Sequence, residues 1–533
     1  MPDKIFVVSL SHPFSNSPYI FLKEGGRVKM SRDCSCFDGT SLYISYDFSC
    51  VIDKLRSEKK YSLPKLVDIQ TAKKLIVGRK KAEFTPGNQP WILKNILGDN
   101  VKSDSLKWLD EFFQLRIAPD QIESQAASVV SDIMNGFENA WGKIEKKLVN
   151  TGEHDRFWNV ENVLYGYFLD TQLKGINVPQ ISLSAMLDDL YRLHYTSIKK
   201  LELEYGFVFN AIEINSAIAY VDIEKFIKHR DIVKEDFEYN FWDSVELYSE
   251  LDDFLMILFV AYKTLKDRSA LLRYAVDRYN AIYPKFDIMG TVTGRMLITS
   301  PGIQYLKKTS RAIFKPKEGY SHIYADFDQF EPGIIASFSN DQKLIELYNN
   351  GDIYNELSQI LFSSTEKRKI SKIIFLAFMY GMTQDRMGNF IEKIAGIEAK
   401  RQGISFFNKF ETLCAWKERV CEKAAEDGYA SSCGGNRRYL QEKGKLTSSE
   451  KRWVPNQIIQ GTASYIFKKS LIGLKIIAPN IDFLVPMHDA ILVEVPTDKV
   501  NDTKEIIKQV FVKEFMQVCP SINANVSFDQ FAE

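Results

Sequence analysis

Ile481-Asp482-Phe483-Leu484-Val485-Pro486-Met487-His488-Asp489-Ala490-Ile491-Leu492-Val493-Glu494-Val495 reads as two apolar, β-rich runs broken by a short polar turn. The pattern predicts a buried hairpin with His488-Asp489 at its tip. A His-Asp pair at a turn is, on its own, more often a hydrogen-bonded local cap than a metal ligand. A second segment reverses that balance. Ile323-Tyr324-Ala325-Asp326-Phe327-Asp328 is again an apolar strand that ends in an acid. Two aspartates on neighbouring strand ends can jointly hold hard divalent cations, which prefer carboxylate oxygen and keep positions that a phosphate can take. That is the skeleton of a two-metal phosphoryl or nucleotidyl transferase.

The 533 residues are enough for three or four domain-sized units with a large core. Lys+Arg and Asp+Glu balance at 69 each, and 45% of residues are hydrophobic, so the composition is that of a globular chain and not a disordered or membrane one. A zero net charge leaves nucleic acid open as a partner, because basic residues can gather on one face. The seven cysteines are odd in number and scattered, and no secretory leader opens the chain. A reduced, cytoplasmic setting is expected. Cys34-Ser35-Cys36 lacks the second pair that zinc would need.

Short β-like runs, Lys4 to Leu10 and Ser41 to Tyr46, predict a small α/β unit over the first hundred residues. From about 104 to 285 the pattern turns helical, as in Val245 to Lys266 and Ala270 to Tyr283. Helices again fill about 341 to 470, so the two key acids lie either side of a long helical insertion. Within it Arg368, Lys372, Leu376 and Tyr380 recur every fourth residue and would form one stripe of a helix. Such a stripe is either a solvated basic end passing into a buried one or a ladder for a triphosphate, sugar and base. Beside two strand-end aspartates the ladder is preferred. Gly381 permits a bend there.

Taken together these residues resemble family A DNA polymerases, the bacterial DNA polymerase I type. Asp326-Phe327-Asp328-Gln329-Phe330-Glu331 is similar to the first palm motif, Arg368 through Tyr380-Gly381 to the fingers-helix motif, and Met487-His488-Asp489-Ala490 to the last palm motif. Thr293-Gly294-Arg295 and Asn456 through Gln460-Gly461-Thr462-Ala463 add supporting matches in the right order. The resemblance implies an α+β multidomain chain with the right-hand polymerase fold and an N-terminal RNase H-like α/β domain of exonuclease type. Its divisions would be an exonuclease-like domain at 1–150, a thumb at 151–285, the palm at 286–345 and 471–533, and fingers at 346–470. It further implies synthesis of DNA on primer-template DNA from dNTPs with two Mg2+ ions, for which Mn2+ can substitute. Asp326 and Asp489 would bind the metals, assisted by the Phe327 carbonyl. Arg368 and Lys372 would meet the triphosphate, Lys372 also giving a proton to the pyrophosphate. Leu376, Tyr380 and Gln329 would line the nucleotide site, and Glu331 would close off the sugar 2′ position. Arg295, Gln304, Asn456, Gln460 and His488 would contact primer-template through the minor groove.

The sequence departs from the family pattern in several places. Ala490 stands where a Glu is usual, and Asp328, where Ser is common, either partly replaces that carboxylate or points to solvent. Strand alternation would put Asp328 on the face of Asp326. Leu376 replaces an aromatic, and Gly333 replaces an Arg. The N-terminal region looks like a degenerate 3′-to-5′ exonuclease. Phe6-Val7-Val8-Ser9-Leu10-Ser11 offers serines where that chemistry needs Asp-x-Glu, Asp47 is a single acid, and no Tyr-x-x-x-Asp stands near 122 to 135. Loss of proofreading is expected, with the domain bracing the polymerase or docking a replication protein. The alternatives are a polymerase-fold protein that binds primer-template without synthesis and a polymerase that copies RNA; a phage or mobile-element source fits the compact length.

Overall fold

The computed structural model describes residues 3–11, 15, 18–78, 89–206, 242, 245–246, 249 and 252–533. Its first sheet joins Lys4–Leu10 (β1), Tyr19–Glu24 (β2), Arg27–Ser31 (β3), Leu42–Ser45 (β4) and Lys65–Asp68 (β5) in the order β3-β2-β1-β4-β5. β1 runs antiparallel to β2 and parallel to β4. A strand with neighbours on both edges and helices over both faces has no wet side, which is why β1 is apolar at nearly every position. Phe6, Val8 and Leu10 turn to a core with Ile69–Val77 (α1), Gln89–Leu97 (α2) and Pro119–Asn150 (α3). Ile5 and Val7 turn the other way, toward Leu164 and Phe168 of Asn162–Lys174 (α4). Phe168 in turn meets Phe483 at 6.0 Å between ring centroids, so the N-terminal α/β unit and the second sheet share one hydrophobic core.

That second sheet begins with Tyr320–Phe327 (β6), followed by the helix Phe330–Ser339 (α5). A mostly helical insertion then carries Arg368–Met379 (α6), the hairpin of Tyr429–Ser432 (β7) and Gly435–Tyr439 (β8), and the long helix Ser448–Ile477 (α7). Asp482–Pro486 (β9) and Ala490–Pro496 (β10) return to the sheet, and after Val500–Val518 (α8) the two residues Val526–Ser527 (β11) complete it in the antiparallel order β9-β10-β6-β11. Ile323, Ala325 and Phe327 of β6 alternate inward, and Phe327 stacks on Phe330 at 4.2 Å and on Phe511 at 5.0 Å. Tyr324 and Asp326 face the opposite way.

The described helix in the 245–285 stretch is Asp253–Leu271, capped by the Asp252 carboxylate. Residues 207–241, 243–244, 247–248 and 250–251, on which part of the helical reading falls, lie outside the described residues. The expected helix over Ala270 to Tyr283 stops at Leu271. Beyond it the Asp277 carboxylate collects the Tyr279 and Ala281 N–H groups and the Tyr283 hydroxyl, closing a turn that delivers Ile282 to a short strand. All seven cysteines are free. Among the described residues no helix is long and apolar enough to cross a membrane.

Candidate active site

The decisive hairpin forms as the sequence reads it. β9 pairs with β10, and the Met487 N–H donates to the Ala490 carbonyl at 2.7 Å, which leaves His488-Asp489 at the tip. β6 pairs with β10 in a register that sets Asp326 opposite Ala490, and the Phe327 N–H reaches the Asp489 carbonyl at 3.4 Å. The two strand-end acids therefore meet although 163 residues separate them. Burial, then the neighbouring Asp489, pushes the Asp326 carboxyl up to about 8, against the pull of Lys372. One oxygen of Asp326, Oδ1, is buried without a hydrogen-bond partner. A carboxylate oxygen left unsatisfied beside a second acid is a poor arrangement for a protein alone and a good one for a hard cation. Among the described residues no three His, Cys, Asp or Glu side chains converge to hold an ion by themselves, so water and substrate phosphate must complete any coordination.

Two further acids approach this pair from places the sequence reading treated differently. β6 ends at Phe327, so alternation does not carry Asp328 onto the Asp326 face; its carboxylate accepts from Asn525 Nδ2 and its N–H donates to the Asn525 carbonyl at 3.1 Å. Asp529 was missed. Ser527 pairs with Asp326, and Phe531 packs on Tyr324 at 5.5 Å, so the tail runs back along β6 with Asp529 between these two anchors. Its charge acts on Asp326 more strongly than that of Asp328. No motif marks an acid in a C-terminal tail; only the sheet order brings it here.

The α6 stripe presents cations to the same place. Lys372 acts electrostatically on both Asp326 and Glu331. Arg368 is held by Asp352 at 2.8 Å, and both cations lie over the Tyr354 ring at 5.1 and 5.7 Å. Leu376 follows half-buried. Tyr380 is the residue that caps the helix, not part of its last turn, and its buried hydroxyl has no partner. Gly381 takes φ +90°, which makes the bend. Glu331, in the first turn of α5, pairs with Arg295; burial still raises its pKa despite that partner. His488 is held below its ordinary pKa by burial and by Arg295 and Arg311, which keeps its imidazole neutral.

The proposed DNA contacts divide. Asn456 and Gln460 are half-exposed one turn apart on α7, consistent with a surface role. Gln304 is not available for DNA. It is buried, accepts from the Ile298 N–H at 2.9 Å, and donates to the carbonyls of Met296 and Pro486, so its amide pins the hairpin from inside. Gln329 likewise spends its amide on the Gly351 carbonyl and the Ile353 N–H, bracing that turn. The Thr293-Gly294-Arg295 loop depends on residues that carried no signal. Ser464 donates to the Gly294 carbonyl at 2.6 Å and Asn436 to that of Val292 at 3.1 Å. Gly333 also finds its reason: a Cβ there would lie 2.8 to 3.0 Å from Ile522, Tyr348 and Phe515, so no arginine fits. In the N-terminal unit Asp47 accepts from the Ser49 N–H at 2.7 Å as a helix cap, and Ser9 donates to the Asp47 carbonyl. That polar set is satisfied locally.

Comparison with known proteins agrees with this geometry. The chain resembles the thermostable DNA polymerase I of Thermus filiformis, 26% identical over 262 residues that make up 45% of this chain and 31% of the relative. It resembles DNA polymerase I of Borreliella burgdorferi at 29% over 307 residues, 54% of this chain and 31% of that one. The chain thus spans about a third of the length of these curated relatives. Its fold matches the POL domain of Pol1 from M. smegmatis, solved in complex with DNA primer-template and dNTP, with a TM-score of 0.74 at 18% identity, covering 99% of this chain and 95% of the other. The family model for DNA polymerase family A matches residues 252–530, just over half of the sequence, and includes β6, α6 and the β9-β10 hairpin; the chain belongs to that family.

Proposed function

We propose that this chain is a DNA-directed DNA polymerase that extends a primer 3′ end with deoxyribonucleotides. The single observation that carries the reading is the pairing of Asp326, with its orphaned buried oxygen, and Asp489 across β6 and β10 under the Lys372 side of α6. Family A polymerases use divalent metal ions. Two Mg2+ ions, replaceable by Mn2+, fit the donor set of Asp326, Asp489 and the Phe327 carbonyl. When bound they supply activation of the primer 3′-hydroxyl and charge neutralisation at the departing pyrophosphate.

The side chains do the positioning. Arg368 and Lys372 receive the triphosphate, and Lys372 hands a proton to the leaving group. Leu376 and Tyr380 support the nascent pair, and Glu331, anchored by Arg295, excludes a 2′-hydroxyl. Asn456, Gln460 and neutral His488 meet primer-template through acceptors shared by all base pairs. In this reading 151–285 is the thumb, 286–345 with 471–533 the palm, 346–470 the fingers, and 1–150 a brace without proofreading, since Ser9 and the capping Asp47 cannot hold metals.

The test is primer extension with Mg2+ on DNA and RNA templates, with dNTPs and rNTPs. Extension of DNA-templated primers that is abolished by Asp326→Ala or Asp489→Ala supports the reading. Primer-template binding without extension by the parent would instead make the chain a non-catalytic binder, and equal use of RNA would change the template assignment.

A further inference from the structure

The N-terminal unit carries a groove that none of this chemistry uses. It encloses about 350 Å3 between α1, the end of α2 with its following turn, and α3. Its floor is apolar, with Val77 and Ile144 among its side chains, and Lys73, Lys143, Lys146 and Lys147 stand around it; among the described residues no carboxylate lines it. Lys143 and Lys147 are one helical turn apart, an arrangement that self-repels unless an anion is shared. The acid of that stretch, Glu145, faces away and pairs with Lys4 at 2.7 Å. Two of the lysines are oriented by neutral oxygens: Lys73 by the Asn95 carbonyl at 2.6 Å and Lys143 by the Asn100 amide. For Lys143 this contact sets the position without cancelling the charge.

Both walls of the groove lead to the β7-β8 hairpin. α1 ends at Gly78, where φ is +58° and a Cβ would lie 2.0 Å from the ring of Tyr439. α3 ends just before Gly152, whose Cβ position is 3.8 Å from the Arg437 guanidinium. Tyr439 keeps 40% of its surface exposed. The basic channel with its apolar floor therefore runs up to an aromatic ring and an arginine on the same insertion that carries Arg368 and Lys372.

We propose that this groove binds single-stranded DNA, its phosphates on the lysines and Arg437, its bases against the floor and Tyr439. Cation-lined grooves with aromatic platforms suit single strands because every base has a stacking face. The strand is either unpaired template ahead of the duplex or a displaced strand, which share this chemistry. Only that assignment of the strand rests on the polymerase reading; binding itself does not.

The experiment measures fluorescence anisotropy of labelled oligothymidylate on the full-length chain across a NaCl series, for the parent, Lys143→Gln/Lys147→Gln, Lys143→Glu/Lys147→Glu and Tyr439→Ala. A blunt duplex serves as control. Losing two phosphate contacts should flatten the slope of log K against log salt by about 1.4, at roughly 0.7 per phosphate for single strands. The glutamate pair should weaken binding further, Tyr439→Ala should lower affinity with the slope kept, and the blunt duplex should be unaffected. Primed template with a long 5′ overhang and a nicked substrate with a flap then tell the two strand sources apart by which loses affinity. Extension on a short overhang should stay at the parental rate, so a failed groove is distinguishable from a failed polymerase. Parental affinity and slope in both lysine variants, with native circular dichroism, would overturn the proposal. So would tighter binding of a polyglutamate peptide than of oligothymidylate, which would make the groove a protein-docking surface.

Discussion

Arg295 and Glu331 stand 36 residues apart in sequence and form an ion pair at the mouth of the acid site, with 23% and 13% of their side chains exposed. The residue proposed to exclude the sugar 2′-hydroxyl is thus aimed by a residue proposed to read primer-template. Removing either should affect the same property. Glu331→Ala and Arg295→Ala should each lower the dNTP over rNTP ratio of kcat/KM by at least about 10-fold, the scale on which a single pocket contact discriminates. The double variant should lose little more than either single one, because partners in one contact are non-additive. Single-nucleotide insertion kinetics measure this, and additive losses would separate the two roles.

The Asp326-Asp489 pair should repel itself in the absence of cations. Asp326 is raised to about 8 in the folded state, so between about pH 4 and pH 8 the fold holds a proton that the unfolded chain, near 3.9, releases. Stability of the metal-free protein should therefore fall as pH rises through that window. Asp326→Asn should flatten the decline and abolish extension. Mg2+ should raise the parental Tm, by roughly 1 °C per kcal/mol of binding for a chain of this length, and leave the variant unmoved. Scanning calorimetry at several pH values with and without Mg2+ is the check.

Asp529 and Asp328 can be ranked against one another. Asp529 lies between the Ser527 and Phe531 anchors and acts on Asp326, while Asp328 is engaged by Asn525. Asp529→Asn should raise the Mg2+ concentration for half-maximal extension about 10-fold, at the low end for residues that support metal ligands from behind. Asp328→Asn should shift it less. The reverse order would restore Asp328 as the substitute for the carboxylate missing at Ala490.

Gln304 should matter to folding and not to DNA. Gln304→Leu strands the Ile298 N–H and deprives two carbonyls of a donor, each unsatisfied buried group costing about 1–3 kcal/mol. Urea denaturation should show that loss, while KM for primer-template at temperatures where the variant is folded should match the parent.

Glu494 should contribute to the acid stability of the β9-β10-β6-β11 sheet. Burial alone would raise its carboxyl, yet the Lys317 N–H at 3.0 Å, the Lys317 ammonium at 2.9 Å and the His322 ring at 3.6 Å prevail and bring it down to about 2. A depressed acid stabilises the fold above its unfolded value, near 4.5, and loses that contribution as pH falls toward 2. Glu494→Gln should remove this part of the acid transition and lower stability at neutral pH. Circular dichroism melts between pH 2 and pH 7 compare the two.

Part of the candidate site was legible because acids on strand ends leave a double mark, an apolar run and an abrupt carboxylate. Asp326 and Asp489 carry that mark, while Arg368 and Lys372 show only as a four-residue helical spacing. Gln304 was misread because a glutamine in a polar loop has the same sequence appearance whether it faces DNA or fills a buried hydrogen-bond triangle. Asp328 kept two readings in the sequence because alternation holds only while the strand lasts, and β6 stops one residue earlier. Asp529, Ser464 and Asn436 were invisible since their importance comes from sheet order and helix approach, which no local pattern encodes.

The core shared by Ile5 and Val7, Leu164 and Phe168, and Phe483 bears on how this chain can change over time. Changes at the polar Ser9 of β1 leave this layer in place, whereas excising the first 150 residues would strip Ile5 and Val7 from an apolar layer that the second sheet also uses. A region joined in this way is held in place by its packing, whatever chemistry its surface carries. It also makes the N-terminal surface free to drift toward new partners while its interior stays fixed.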